Sequence, residues 1–293
     1  MSDVALSSPQ PTAPARPFRR QRRSSERVTI LGAAMDLVRP EEVFQFVADR
    51  LVRGQGSIIA NHNLHSLYLA GKDPAVLAFF AAADLVEVDS TPLILWARLV
   101  GRSSRPFHRC TYLDWRDLFW ARAQAEGWRV FFVGGAPGVA DAARDRILAD
   151  FPDVNLATHH GYFDVAAGSA ENAAVGEAVN AFAPQILLVG MGMPRQEVWV
   201  LENHPALIAP CASFTVGGAF DYEAGAQKAA PRWMGRLGVE WLFRLVVDPR
   251  RLFVRYCVEP WSLVGPALTD LRLAVFSRAP TSNETGETPA IRG

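Results

Sequence analysis

One aspartate stands where acid–base chemistry could take place. Asp89 follows the apolar run Leu85–Val88 and precedes Pro92, a residue favoured in the first turn of a helix. A carboxylate that stays ionised at this position could act as a general base. Aspartate is also a good N-cap, so Asp89 could merely cap the helix that begins near Pro92. The sequence leaves these two interpretations evenly balanced.

A glycine-rich loop follows the apolar run Arg129–Val133 and begins with Gly134 and Gly135. Glycine lets the backbone approach a phosphate closely, and the first turn of a following helix offers free N–H groups. The loop is neither a G-x-G-x-x-G nor a Walker A motif. A phosphate cradle and a tight strand-to-helix turn are therefore comparable interpretations.

Two further loops add charged and amide groups to glycine. Gly192, Arg195 and Gln196 follow the run Ile186–Val189, and the run Ala212–Val216 is followed by Gly217, Gly218 and Asp221. Arg195 could pair with a diphosphate, and Gln196 could donate to a sugar or phosphate oxygen. The alternative for Arg195 and Gln196 is a capped helix with surface charges. Together, several such loops at one edge favour a nucleotide-type ligand.

Histidine and cysteine patterns give no indication of a metal site. His62 and His65 are three residues apart and His159 adjoins His160, but neither pair has a carboxylate or cysteine partner at ligand spacing. We therefore interpret these histidines as structural. The chain also lacks an Asp-x-Asp pair, so arginines, N–H groups or helix dipoles are expected to neutralise any leaving diphosphate. The sequence predicts neither metal nor cofactor.

Short β-branched runs alternate with helical patterns over most of the chain, which predicts an α/β fold: a Rossmann-like, mostly parallel sheet flanked by helices. Ligands bind at the carboxyl ends of the strands in such sheets, where the loops described above begin. The predicted strands are Val28–Leu31, Ser57–Ala60, Leu85–Val88, Arg129–Val133, Val154–Ala157, Ile186–Val189 and Ala212–Val216. The predicted helices are Pro40–Arg53, Pro74–Ala82, Pro92–Val100, Leu113–Glu126, Val139–Asp150, Ala170–Phe182 and Arg195–Asn203.

The composition changes near residue 226. From there to residue 278 the pattern is helical and carries basic side chains, including Arg244, Arg251 and Arg255, interleaved with aromatic ones. This mixture is more typical of an interfacial membrane element than of a solvated cationic face. We predict a disordered basic tail at 1–26, an α/β domain at 27–225, a helical membrane-docking appendage at 226–278 and a disordered tail at 279–293.

The overall composition limits the partners and the location. The 30 basic and 30 acidic residues cancel, which gives no indication of a nucleic-acid partner. No secretory signal is visible, and the apolar stretches are shorter than the ~18–20 residues of a spanning helix. We expect a cytoplasmic protein that lies on a membrane at most. The three cysteines are expected to be free thiols, and homo-oligomerisation is left open.

The chain resembles the WecG/TagA/CpsF family of bacterial glycosyltransferases over residues 28–256. Eight motifs carry the resemblance in order: NHN at Asn61–Asn63, the Asp89 loop, FHRCTYLDW, FFVGGAPGV, HHGYF, LLVGMGMPRQEVW, TVGGAFDYEAG and VEWLFRLVVDPRRLFVRY. Each motif is weak alone, whereas the ordered set is specific.

The resemblance implies an inverting, metal-independent transfer. The donor would be a UDP-sugar, typically of the N-acetylmannosamine kind, and the acceptor an undecaprenyl-diphosphate-linked sugar at the inner face of the cytoplasmic membrane. Asp89 looks like the general base, and Arg244, Arg251 and Arg255 look like the arginines that reach the lipid diphosphate. The substrate-binding residues we infer are Asn61, Asn63, Arg109, Thr111, Gly134, Gly135, Gly192, Arg195, Gln196, Gly217, Gly218 and Asp221.

The sequence departs from the family pattern at three places. Asn61 stands where the family often has threonine, Ser90 follows Asp89 where the family has glycine, and Ala229 replaces an arginine. The first two lie at the sugar end of the expected site. A Rossmann-type oxidoreductase is a poor alternative, because no G-x-G-x-x-G follows the first strand. A non-catalytic membrane-associated regulatory or assembly protein that retains the fold is the other alternative.

Overall fold

The centre of the molecule is a parallel sheet of six strands. A computed structural model describes residues 27–278, and its main sheet has the strand order β4-β3-β8-β7-β5-β6, with every neighbouring pair parallel. These strands are β3 Ser57–His62, β4 Leu85–Val88, β5 Arg129–Gly134, β6 Asn155–His159, β7 Ile186–Gly190 and β8 Ala212–Thr215. The predicted α/β class with a mostly parallel sheet is confirmed.

Helices cover both faces of this sheet. Those within the α/β part are α1 Pro40–Val52, α2 Leu64–Ala70, α3 Pro74–Ala82, α4 Thr91–Leu99, α5 Tyr112–Glu126, α6 Val139–Asp150, α7 Ala170–Phe182, α8 Arg195–Asn203 and α9 Ala219–Glu223. The sequence predicted these helices to within a few residues, except for α2 and α9. Both are short, and α2 begins directly at the end of β3, where the expected loop gave no separate helical pattern.

The central strands are apolar at every position because both of their faces are buried. All five residues of β7 are buried. Leu187 and Val189 pack into one hydrophobic cluster, whereas the alternate residues Ile186 and Leu188 pack into a second cluster on the opposite face. Successive side chains of a strand point to opposite faces, so a continuous apolar run fills two cores at once.

The first predicted strand does not belong to the main sheet. β1 Arg27–Ile30 pairs instead with β2 Ala33–Asp36 as a separate antiparallel hairpin. The turn between them has positive φ at Leu31 (51°) and Gly32 (80°), and glycine accepts this conformation without strain. Asp36 of the hairpin accepts a hydrogen bond from the backbone N–H of Val86 (2.9 Å), which fixes the hairpin beside β4.

The C-terminal part is helical, as the sequence predicted. It consists of α10 Arg232–Leu237, α11 Glu240–Val247, α12 Pro249–Phe253, a π-helical turn Val254–Val258, a 3-10 turn Glu259–Leu263 and α13 Val264–Arg278. We call residues 226–278 the appendage. Within residues 27–278, no helix is long and apolar enough to span a bilayer. The predicted disordered tails, 1–26 and 279–293, lie outside the described residues.

Buried polar contacts attach the appendage to the α/β part. Asp270 of α13 accepts hydrogen bonds from the Leu31 backbone N–H (2.8 Å) and the Trp96 indole (3.0 Å). Nearer the sheet, Nδ1 of His65 lies 2.5 Å from a carboxylate oxygen of Glu259. These contacts hold the appendage over the carboxyl end of the sheet. The division of the chain into domains at residue 226 stays a prediction.

Candidate active site

A cavity of about 590 Å³ opens at the carboxyl ends of the parallel strands. Its walls come from the segments that follow the six strands of the main sheet, from the start of α5 and from the appendage. The connection after β5 leads to β6 on one side, whereas that after β7 leads to β8 on the other. Adjacent strands whose connections diverge leave a crevice between them, and ligands of parallel sheets bind there.

Asp89 lines this cavity, and it is not the cap of the following helix. The N-cap of α4 is Ser90, whose hydroxyl accepts the hydrogen bond from the Leu93 backbone N–H (3.4 Å). The Asp89 backbone N–H donates to the carbonyl of His62 (2.8 Å), which continues the β3–β4 pairing by one residue. The sequence left open whether Asp89 is a helix cap or a general base. The structure excludes the cap and places Asp89 in the cavity wall, where a ligand could contact it.

Burial raises the pKa of the Asp89 carboxyl to about 7. The positive charge of Arg244 works against this shift, and the carboxylate of Glu240 adds to it. A carboxyl with a pKa near neutrality is substantially ionised at neutral pH and is still basic enough to accept a proton.

Three arginines of the appendage line the same cavity as Asp89: Arg244, Arg251 and Arg255. The Arg244 guanidinium is held by Glu240 at 2.5 Å and lies 5.7 Å from the ring centroid of Tyr222. Arg251 pairs with Asp248 at 2.6 Å and is largely exposed. Arg255 is mostly buried, and its Nε has no hydrogen-bond partner within residues 27–278. These side chains place positive charge on the wall that faces the sheet.

Glycines form the floor of the cavity because the strand ends approach one another closely. A Cβ on Gly134 would lie 2.3 Å from the Gly190 carbonyl oxygen, and one on Gly190 would lie 2.5 Å from that of Gly217. No side chain fits at either distance. Gly135, Gly192, Gly217 and Gly218 line the cavity, as the sequence predicted, whereas Gly134 lies just beneath its surface.

Gln196 joins two loops and lines the cavity. Its Nε2 donates to Glu197 (2.7 Å), and its Oε1 accepts from the backbone N–H groups of Gly192 (3.2 Å) and Gly217 (3.1 Å). Its donation to a sugar or phosphate oxygen stays a prediction. Gln196 is almost fully buried. It therefore sets the conformation of the glycine floor.

Arg195 and Arg109 are also engaged with protein groups. Arg195 lines the cavity, but its Nη2 donates to the carbonyls of Gly161 (2.9 Å) and Phe163 and so holds the loop after β6. Arg109 is not among the lining residues, because its guanidinium pairs with Asp114 (2.7 Å) and approaches Glu240 (3.7 Å). These contacts shape the site. The diphosphate contact of Arg195 and the substrate contact of Arg109 stay predictions.

The remaining predicted residues do line the cavity. Asn61 lies at the end of β3, where its Nδ2 donates to the Thr215 carbonyl. Asn63 caps α2 by accepting from the Ser66 backbone N–H (3.0 Å). Thr111 donates to Asp114 (2.8 Å), and Asp221 lies beside Gly218. All four residues line the cavity, and their contacts with a substrate stay a prediction.

His62 and His65 have structural partners, and no metal-ligating cluster occurs in the part of the chain that the structure describes. Nδ1 of His62 lies 2.9 Å from the Ser66 hydroxyl and its ring stacks on Phe80 at 3.8 Å, on the opposite face of the sheet from Asn61. Burial lowers the pKa of His62 to about 3. His65 contacts Glu259.

Comparison with known proteins assigns the chain to a family. The sequence model of the glycosyl transferase WecG/TagA/CpsF family matches residues 28–274. The chain belongs to this family.

Curated relatives of this glycosyltransferase come from Staphylococcus aureus. In strains NCTC 8325 and COL the relative is named N-acetylglucosaminyldiphosphoundecaprenol N-acetyl-beta-D-mannosaminyltransferase. Each is 27% identical over 237 residues, which cover 79% of this chain and 89% of the relative. The enzyme of the same name from strain MRSA252 has the same identity and coverage.

Sequence reasoning missed several residues of this family member's cavity. Glu87 lies within the apolar run of β4 and was interpreted only as part of a strand, yet its side chain lines the cavity. The available signal was its spacing, because residues two apart on a strand share a face and Glu87 is two residues before Asp89. Tyr222, Gln227, Glu240 and Tyr256 also line the cavity and gave no comparable signal.

Proposed function

We propose that this glycosyltransferase moves a sugar from a UDP-sugar to an undecaprenyl-diphosphate-linked sugar, with inversion at the anomeric carbon. The observation that carries the proposal is the meeting of Asp89 with three appendage arginines in one cavity at the carboxyl end of a parallel sheet. The names of the staphylococcal relatives favour an N-acetylmannosamine donor and an acceptor that ends in N-acetylglucosamine.

The proposed chemical step uses one protein base. The acceptor hydroxyl oxygen attacks the anomeric carbon of the donor and forms the new glycosidic bond as its proton passes to the Asp89 carboxylate. The bond from the anomeric carbon to the UDP oxygen breaks, and its electron pair stays on the diphosphate. A single displacement of this kind inverts the anomeric centre, and a base with a pKa near 7 matches the proton transfer.

The leaving diphosphate gains negative charge during this step, and the cavity offers positive charge to stabilise it. Arg244 and Arg255 are fixed in the wall near Asp89, since their charges act on its pKa. Backbone N–H groups of the glycine loops and of the helix starts provide further donors. Donors that are in place before the reaction stabilise developing charge without reorganisation. We propose that these groups act on the diphosphate without a metal ion.

The acceptor would reach this cavity from a membrane surface. Large apolar side chains of the appendage are exposed to solvent, among them Trp261 (75%), Val275 (68%) and Phe276 (77%). Exposed apolar side chains on a segment that also carries basic residues are typical of elements that lie in a bilayer interface. We propose peripheral binding to the inner face of the cytoplasmic membrane through the appendage, which places the arginines at the height of a lipid diphosphate.

The direct test is sugar transfer by the full chain to a synthetic lipid-diphosphate acceptor in anionic vesicles, with a panel of UDP-sugars. We expect product from at least one donor, and Asp89→Ala should abolish transfer while the folded state and vesicle binding persist. Asp153→Ala, an exposed aspartate outside the cavity, is the matched control and should retain full activity.

Three outcomes would contradict the proposal or part of it. Undiminished transfer by Asp89→Ala would show that Asp89 is not the general base. Vesicle binding without transfer from any donor would instead favour the non-catalytic membrane-associated alternative. Strong inhibition by EDTA that magnesium or manganese reverses would overturn the metal-independent step.

A further inference from the structure

A second carboxyl group lies in the same cavity as Asp89. Glu87 is two residues earlier on β4, its side chain is 4% exposed, and it lines the cavity. In the register of the sheet it pairs directly with Asn61 of β3, which lines the cavity too. A strand rises about 3.3 Å per residue, so Glu87 and Asp89 are about 7 Å apart along one face. That span corresponds to a single sugar ring with its substituents.

Packing alone does not account for a glutamate at this position. The other residues of β4 are leucine and valine, and all of them are buried. Within residues 27–278 the Glu87 carboxyl forms no salt bridge; the groups that act on it are the Cys110 thiol, by a hydrogen bond, and the charge of Asp89. A buried carboxyl without a cationic partner destabilises the fold relative to an apolar side chain. The residue therefore contributes something other than stability.

The two carboxyls are not expected to be ionised together. Burial raises the pKa of Glu87 well above its usual range, and the nearby charge of Asp89 raises it further. Two buried carboxyls in one site separate into an ionised one and a protonated one. A protonated Glu87 has one O–H donor and retains acceptor capacity on its other oxygen. Beside it, the Asn61 amide already donates one hydrogen bond to the Thr215 carbonyl, which fixes its orientation.

We propose that Glu87 and Asn61 form the subsite that selects the donor sugar, and that this subsite takes an uncharged hexose through its ring hydroxyls and disfavours a hexuronate. The inference rests on the proposed function, because the acceptor oxygen must meet both Asp89 and the anomeric carbon, and the sugar ring then lies over Glu87. A hydroxyl both donates and accepts, which matches a protonated carboxyl and an amide. A uronate would bring a further negative charge close to Asp89.

The test compares donors on variants of the full chain. The donors are UDP-glucose, UDP-N-acetylmannosamine and UDP-glucuronate, and the readouts are kcat and KM for transfer and Kd for UDP alone. Wild type should prefer its best uncharged donor to UDP-glucuronate by about tenfold or more in kcat/KM. Glu87→Gln keeps the donor and acceptor groups and should retain this preference. Glu87→Leu should raise KM for the uncharged donor about tenfold or more and leave the Kd of UDP unchanged.

Glu202→Leu is the control, since Glu202 is exposed on α8 outside the cavity and should alter no donor constant. Circular dichroism and thermal melting of each variant show whether it folds. If Glu87→Leu does not fold, Glu87→Ala, which also removes both polar groups, takes its place with the same expected rise in KM. Equal loss of affinity for UDP and for UDP-sugars in Glu87→Leu, or an unchanged donor preference, would overturn the inference. So would a wild-type preference for UDP-glucuronate. Failure of wild type with every UDP-sugar would instead contradict the proposed function itself.

Discussion

Replacing Asp89 by asparagine should inactivate the enzyme and at the same time stabilise its fold. Asparagine has nearly the shape of aspartate and carries no charge, so it removes the base without opening a cavity. The wild-type carboxyl is held at a pKa of about 7, against 3.8 for an ordinary aspartate, chiefly because it is buried. At neutral pH and above, ionisation of this buried carboxyl therefore lowers the free energy of unfolding. Asparagine cannot ionise, so the variant does not have this loss of stability.

The size and the pH range of the effect follow from linkage. A pKa difference of about three units corresponds to about 4 kcal/mol at most. Below pH 4 the carboxyl is protonated in both the folded and the unfolded states, and the charge has no effect on stability. Between pH 4 and 7 only the unfolded state ionises, so the wild type loses stability as the pH rises. The advantage of Asp89→Asn should therefore be complete above pH 7 and should vanish near pH 4.

Urea unfolding of wild type and Asp89→Asn at pH 8 and pH 4.5 measures this difference directly. At pH 8 the variant should be more stable by about 2–4 kcal/mol, or by up to roughly 10 °C in Tm. At pH 4.5 most of the difference should disappear. Asp153→Asn makes the same chemical change at an exposed position and should alter stability little at either pH. If the variant is equally stable or less stable than wild type at pH 8, burial does not raise the pKa of Asp89 as inferred.

Four further predictions concern the rate, the arginines, the membrane and the attachment of the appendage. Transfer should fall about tenfold per pH unit well below pH 7, as Asp89 becomes protonated; a pH–rate profile that is flat from 5.5 to 8.5 would contradict this. Arg244→Ala should lower kcat about 100-fold or more in steady-state assays. Phe276→Ser should weaken sedimentation with anionic vesicles while transfer to a short-chain acceptor in solution persists. Asp270→Ala should lower the free energy of unfolding by about 1–3 kcal/mol in urea titrations, because two buried donors lose their acceptor.

Most of the fold could be predicted because the strands of the main sheet are marked locally. Runs such as ILLVG in β7 are apolar at every position, and only a strand covered on both faces needs that pattern. The hairpin shows the limit of this reasoning. β1 looks like the other strands, but its antiparallel partner β2 is a short segment without β-branched residues. Which strand pairs with which depends on contacts that the local pattern does not contain.

The site was predicted in part for the same reason. Polar residues after a parallel strand must lie at one edge of the sheet, so Asp89, Asn61 and the glycine loops could be placed together from sequence. The targets of individual side chains could not. Gln196 and Arg195 occupy the expected loops, but their hydrogen-bonding groups contact other loops of the protein. The position of Glu87 in the cavity wall was not predicted, because the surroundings of a strand residue depend on the neighbouring strand and its register.

The sequence by itself thus determined the α/β class, the edge of the sheet that holds the site, the family and the basic, aromatic character of the appendage. These features follow from periodicity, composition and ordered motifs, all of which can be identified in the sequence without knowledge of the tertiary structure. Only the tertiary structure decided that Ser90 rather than Asp89 caps α4, that the arginines of the appendage line the cavity, and that Glu87 pairs with Asn61 beside Asp89. Those outcomes depend on how distant segments pack, and packing energy is shared among residues far apart in the chain.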